Sequence, residues 1–267
     1  MLGAGLEVSP ICLGIVRDPR VVSAAFDAGI NFFFVTTDLH WPLYEPLRRG
    51  LADLLARGGA IRDQIVVAAC SYLTQPEFLG APFIETLHAV PGLDRLDVMV
   101  AGGAYGHEID RRWQAYAASR EVGVLGIRAV GASFHDRPAA AGFLARDALD
   151  VAFVRYNARH PGAEHEVFPH LPANRRALLY AFKTAHLQLR AEHAAQLGLD
   201  DEYWIPSVTD LYRFALSRAE LDGCLISLAE VGHVAALHDA LAEGPLSDDE
   251  DHHVRQLINA VYPRPAE

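Results

Sequence analysis

Asp38 and His40 stand two apart in Thr36-Thr37-Asp38-Leu39-His40-Trp41-Pro42, a polar turn that closes an apolar run. An imidazole titrates near neutral pH, and a carboxylate beside it would tune or orient it. The pair is therefore a candidate general acid–base couple. Lys183, the sole lysine of the chain, follows Leu178-Leu179-Tyr180-Ala181-Phe182. An amine among apolar residues can have its pKa lowered by desolvation and act as a base or as an imine-forming nucleophile. The competing reading is a lysine that snorkels or pairs at a rim. Arg155 could clamp a carboxylate through parallel hydrogen bonds or sit in a structural ion pair. His135, Asn157, Trp41 and Tyr72 join it as candidate substrate contacts, and Ser71, His160 and His186 lie at similar positions. His160, His165 and His170, with Glu164 and Glu166, are spaced by fives and do not share one helix face, so no metal site is expected. Asp38 with His40 and His135 would be the better metal constellation.

These residues need a scaffold that brings distant segments to one place. Most of them lie just past a short apolar run, where α/β folds gather their chemistry. Such runs occur at 30–35, 65–70, 96–101, 127–131, 151–156, 176–182 and 223–227, after a first one at 11–15. Helical periodicity fills the gaps, notably in Pro19–Ala28, Leu43–Ala56, Pro82–Ala89, Asp110–Glu121, Ala139–Ala145, Val208–Ser217, Val231–Ala242 and Asp251–Val261. Eight strands alternating with helices predict a (β/α)₈ TIM barrel of the α/β class, one domain over residues 1–267. Leu2–Val8 and Ile11–Ile15 suggest an N-terminal β-hairpin closing its base.

A formal charge of −11 argues against a nucleic-acid partner, which needs a basic footprint. No apolar run reaches the roughly 18 residues of a membrane span, and no basic region with an apolar core opens the chain. Cys12, Cys70 and Cys224 lie in strand-like runs with no disulfide or zinc spacing, which points to a reducing cytoplasm. The expected partner is a small-molecule substrate.

Gly29-Ile30-Asn31-Phe32, with Thr36 and Asp38 beyond it, resembles the second strand of the aldo-keto reductases. Arg62–Ala68, Leu96-Asp97-Val98 and Ile127–Ser133 are similar to that family's third, fourth and fifth strands. Arg155-Tyr156-Asn157 with His160 and Glu164, and Val208–Ser217 with Asp222-Gly223, resemble its later segments, in the same order. The resemblance implies the (β/α)₈ fold and places the family's catalytic Asp, Tyr, Lys and His at Val35, His40, Cys70 and Gly102. Aligned without an inserted aromatic residue, the first two positions become Phe34 and Leu39. Either way the ordinary reductase proton donor is absent. By the same resemblance Ser133, Asn157 and Ser227 are the candidate cofactor contacts. Phe134 follows Ser133 where the family has Asn, and Ser227-Leu228-Ala229 lacks the glycine and cation that hold an adenosine phosphate. No cofactor is therefore expected, with NADP or NAD as the alternative.

Three functional readings follow. The first is a small-molecule enzyme that has left the reductase mechanism for acid–base or imine chemistry on a carbonyl compound: dehydration, cyclisation or isomerisation. In it, His40, Asp38 and Lys183 are catalytic. The second is a nicotinamide-dependent carbonyl oxidoreductase with His40 as proton donor. The third is a non-catalytic binding or regulatory barrel, whose mouth would be plugged by Phe34, Trp41 and Trp204.

Overall fold

In the computed structural model, described over residues 5–75, 78–104, 108–122, 125–146, 148–200 and 202–263, eight parallel strands close into a barrel in sequence order. The strands are β1 (Ile11–Val16), β2 (Phe32–Thr36), β3 (Val66–Ser71), β4 (Val98–Ala104), β5 (Ala129–Phe134), β6 (Val151–Arg155), β7 (Leu178–Phe182) and β8 (Gly223–Leu228). Helices α1 (Arg20–Asp27), α2 (Glu45–Ala56), α3 (Ile61–Gln64), α4 (Ala81–Ala89), α5 (Ile109–Val122), α6 (Arg137–Ala145), α7 (Ala163–Glu166), α8 (Ala191–Leu197), α9 (Val208–Leu216), α10 (Gly232–Ala242) and α11 (Asp248–Val261) interleave with them.

The aromatic run of β2 reads directly into the packing. Side chains alternate across a strand, so Phe32 and Phe34 share one face. That face is the barrel interior: Phe32 meets Tyr180 edge-on at 5.4 Å, and Phe34 meets Phe153 at 5.1 Å. Phe153 and Tyr180 lie 5.7 Å apart, so rings from β2, β6 and β7 fill the barrel below its mouth. Each such buried ring contributes roughly 1.5–3 kcal/mol. Gly29, at φ +89°, makes the turn from α1 into β2 in a conformation that L side chains rarely adopt.

The opposite, N-terminal end of the barrel is tied by a repeated device. Asp97, just before β4, accepts the Val67 amide of β3 at 2.9 Å. Asp150, before β6, accepts the Val130 amide of β5 at 2.8 Å. Asp222, before β8, accepts the Leu179 amide of β7 at 2.7 Å. Asn31, before β2, does the same for Ser9 at 2.7 Å. Each polar side chain satisfies an amide at the foot of the preceding strand and so pins two neighbouring strands together.

Some elements depart from the sequence expectation. Residues 7–10 carry no strand, Leu6 forms a single bridge, and Ile11–Val16 is itself a barrel strand paired with β2 and β8. The rest of the expected hairpin's first arm, residues 2–4, lies outside the described residues. The last helix starts at Asp248 rather than Asp251, because Ser247 and Glu250 form a reciprocal capping box. Helix α8 was hidden in a polar stretch. No helix among the described residues is long and apolar enough to cross a membrane.

Candidate functional site

The C-terminal ends of the strands surround a cavity of about 840 Å³, a volume typical of small-molecule sites. Six of the predicted site residues line it, and three of these come from the loop after β2 and the ends of β5 and β7. His40 arrives on the loop after β2, His135 directly after β5, and Lys183 directly after β7. Tyr72, Ser133, Ser227 and His186 also line it, and Phe34 forms part of its floor. His40 stands edge-on to the Tyr72 ring at 5.5 Å, and His135 edge-on to Phe182 at 5.2 Å. The pKa of His135 is lowered, first by burial and then by the charges of Lys183 and Arg155, so its imidazole is neutral at neutral pH.

Lys183 has φ +56° and is the one non-glycine residue with a positive φ among those described. The left-handed region is unfavourable for an L residue, and strain of this kind concentrates at functional positions. Asn157 holds it there. Its amide donates to the Lys183 carbonyl at 2.8 Å, while its own carbonyl accepts the amides of Arg159 at 3.1 Å and His160 at 2.9 Å. Asn157 thus closes two turns and does not line the cavity, contrary to the expected substrate or cofactor contact.

Asp38 departs from expectation in the same way. Its carboxylate accepts Ser71 Oγ at 2.6 Å and the Tyr72 amide at 2.9 Å, and it bonds the Leu39 amide at 2.6 Å. The group ties the end of β3 to the loop after β2 and is not among the residues lining the cavity. Trp41 is also turned away. Its ring lies under the Arg48 guanidinium at 3.5 Å, and its carbonyl accepts from Arg48 at 2.8 Å, which latches the 3₁₀ turn Trp41–Tyr44 onto α2. Trp204 stacks on His253 away from the cavity, so of the three expected plugs only Phe34 reaches it. Arg155 is not in the lining, although its charge reaches His135, and its Nε is buried without a partner among the described residues.

Beside the wall formed by β3 and β4 stand two residues that sequence reasoning did not single out, Arg112 and Tyr44. A side chain at Gly102 would place its Cβ 2.7 Å from Cys70 Sγ and 2.9 Å from Tyr72 Cε1, so the Tyr72 ring and the thiol fill that space. Behind them lies Arg112 of α5, with only 1 % of its surface exposed. It donates to the Gly102 carbonyl at 2.8 Å and the Ser71 carbonyl at 2.7 Å, while its Nε has no partner among the described residues. The thiol of Cys70 is held protonated mainly by burial. Burial, Cys70 and Asp38 raise the Tyr72 pKa, and Arg112 works against them. Tyr44, from the 3₁₀ turn, adds a second buried phenol with its pKa raised by burial. One signal for Arg112 was legible: Ile109, Arg112, Trp113 and Tyr116 fall on one helical stripe, so a charge sits among apolar neighbours.

Chemically, the cavity offers a neutral imidazole, two further imidazoles, an amine and protonated phenols. That set can move protons and hold a carbonyl oxygen. Among the described residues no group of three His, Cys, Asp or Glu side chains is placed to hold a metal. A nicotinamide dinucleotide fits in part. Ser133 faces the cavity where an amide could be held, but Asn157 is already engaged. Beyond β8 the chain offers Ala229 and Glu230, the latter 3.3 Å from His233, where a 2′-phosphate would need a cation.

No family model and no curated protein matches the sequence. Solved structures do. The chain is 17% identical to the aldo-keto reductase AKR11C1 from Bacillus halodurans in its holo form, with TM-score 0.69, covering 96% of this chain and 94% of that one. It is 16% identical to the glycerol dehydrogenase AKR11B4 from Gluconobacter oxydans, with TM-score 0.70, covering 100% and 97%. The Bombyx mori aldo-keto reductase AKR2E4 in complex with NADP is also 16% identical, with TM-score 0.69 over 96% and 91%. The chain therefore has the aldo-keto reductase fold.

Proposed function

We propose that this aldo-keto-reductase-like barrel is an enzyme acting on a small carbonyl compound by proton transfer, in the class of isomerisation, dehydration or cyclisation. The observation that supports this most is the convergence of His40, His135 and Lys183 from three separate strand ends on one cavity. Neutral His135 is suited to take a proton from the carbon next to the carbonyl. Tyr72, protonated at neutral pH, is suited to donate to the oxygen on which negative charge develops. His40 on the other side returns a proton, and Lys183 supplies positive charge or, in the imine variant, attacks the carbonyl carbon with loss of water. The unpaired, buried Cys12, Cys70 and Cys224 support a cytoplasmic setting.

The test is hydrogen–deuterium exchange at the carbon next to the carbonyl, followed by NMR in D₂O over a panel of small ketones and oxo acids. Exchange that the protein accelerates, and that His135→Gln or His40→Gln reduces by roughly 10²-fold or more, supports proton transfer. Exchange no faster than in buffer across the panel sinks it. Borohydride trapping separates the variants, since a covalent adduct at Lys183 indicates an imine. A second reading, nicotinamide-dependent carbonyl oxidoreduction, draws on Ser133 in the cavity lining and on the NADP held by one structural neighbour. Bound there, the dinucleotide would supply a hydride. A fluorescence titration with NADPH and NADH decides it.

A further inference from the structure

The charge of this cavity runs against the charge of the protein. The chain carries a formal charge of −11, yet the cavity is lined by Lys183, its sole lysine, and by Arg112, together with His40, His135 and His186. One carboxylate, Glu108, lines it, and that group is already partnered. Asp38, the nearest other acid after β2, is turned onto Ser71 and Tyr72.

Among the described residues neither cation forms a salt bridge with a carboxylate. Among the described residues Arg112 meets two main-chain carbonyls and no carboxylate, although its side chain is fully buried. Burying a charge without a counter-charge is costly, and carbonyl dipoles offset it only in part. Lys183 has no ion pair or hydrogen bond from its ammonium among the described residues, and its backbone is held in the left-handed region by Asn157. A cation fixed in a strained position and left unpaired, facing a second cation across a concave space, focuses anions from solution.

We infer that the ligand of this cavity is a carbonyl compound that also carries a carboxylate, a small oxo acid. Its carboxylate is received by Lys183 at the β7 wall, and its carbonyl oxygen is turned towards Tyr72 and the field of Arg112 at the β3–β4 wall. The inference rests on the proton-transfer reading for the carbonyl and adds the second functional group of the substrate. His135, between the two walls, is kept neutral by burial and by Lys183 and Arg155, which leaves the ammonium as the group that takes the anion. A phosphate ester would offer the same kind of charge, and the experiment separates the two.

The test is titration calorimetry of the full chain with pyruvate, 2-oxopentanoate and 2-oxoglutarate, with 2-pentanone as the uncharged counterpart, and with inorganic phosphate. The expected result is that at least one oxo acid binds tenfold or more tightly than 2-pentanone and weakens as salt rises. Lys183→Met should lose roughly tenfold for the oxo acid and nothing for the ketone, the scale of one charge-assisted hydrogen bond, while Lys183→Arg recovers most of it. Circular dichroism confirms that each variant is folded. Equal affinity for ketone and oxo acid, no change in Lys183→Met, or no binding of any oxo acid at millimolar concentration overturns the inference. Phosphate binding as tightly as the best oxo acid, with the same dependence on Lys183, overturns the carboxylate assignment in favour of a phosphorylated ligand. Binding without hydrogen–deuterium exchange upholds the inference while sinking the proton-transfer reading, so the two fail independently.

Discussion

Removing the carboxylate of Asp38 should destabilise the fold rather than disable the chemistry. The group is half-buried and makes three contacts: Ser71 Oγ at 2.6 Å, the Tyr72 amide at 2.9 Å and the Leu39 amide at 2.6 Å. Asp38→Ala leaves the Tyr72 amide and the buried Ser71 hydroxyl without an acceptor. One unsatisfied buried donor costs about 1–3 kcal/mol, and partial access of water reduces the sum of two, so a loss of roughly 2–3 kcal/mol is expected. At ~2–4 °C per kcal/mol for a protein of this size, the midpoint should fall by ~4–12 °C. Asp38→Asn keeps an acceptor oxygen and should lose less than half of that. The assay is thermal unfolding by circular dichroism, paired with hydrogen–deuterium exchange on a responsive oxo acid well below the midpoint. An Asp38→Ala protein that melts with the parent but has lost exchange would refute the reasoning and return Asp38 to a catalytic role beside His40.

Gly102→Ala should cost about 1–3 kcal/mol, since its Cβ would fall within 2.9 Å of both Cys70 and Tyr72, and the near-ultraviolet signal of Tyr72 should change with it. Lys183→Gly relieves the positive φ and should melt higher than Lys183→Met by up to ~1 kcal/mol, although both lack the ammonium; equal midpoints would mean that the backbone there is unstrained in solution. The pKa of His160 is lowered from 6.5 to about 4, by burial and by Arg155, Arg159, His186 and Arg137. Its folded pKa lies below the unfolded one, so its contribution is fully present above pH 6.5 and is lost as the pH falls towards 4. His160→Gln should therefore flatten the decline in unfolding free energy over that window in urea titrations.

The fold was legible because the residues that signal it are those that build it. Asn31, Asp97 and Asp222 belong to the segments that resemble aldo-keto reductases, and all three tie strand feet at the end of the barrel away from the cavity. Such positions report architecture and are silent about the candidate site, which lies at the opposite end. His135 and Lys183 could be placed from strand ends alone, because a parallel strand fixes where its next residue emerges, whereas His40 lies four residues past β2 on a loop. Asp38, Trp41 and Asn157 occupy equivalent loop positions but are engaged by partners distant in sequence or by their own turns, and strand order cannot reveal that. Arg112 and Tyr44 were missed because each lies on a helical turn whose rotation towards the cavity depends on packing. For Arg112 the apolar stripe of α5 carried the signal, and its neighbour Arg111 is exposed on the other side of the same turn.

The β3–β4 wall also explains why the site is better read as a unit than residue by residue. The sequence resemblance would put the reductase lysine and histidine at Cys70 and Gly102, and on that reading, taken singly, they look like losses. In the folded chain the Tyr72 ring fills the space beside position 102, and it can lie there because that position has no side chain. A positive charge is present, but it comes from α5 through Arg112 and is anchored on the carbonyls of Ser71 and Gly102. A lysine in place of Cys70 would bring a second buried cation against that guanidinium, and a histidine in place of Gly102 would displace the ring. Each change is opposed by the residues that accompany the present arrangement. The β3–β4 wall thus carries a charge and hydrogen-bond donors delivered by side chains from different elements. That supports chemistry at the same end of the barrel with a different distribution of roles.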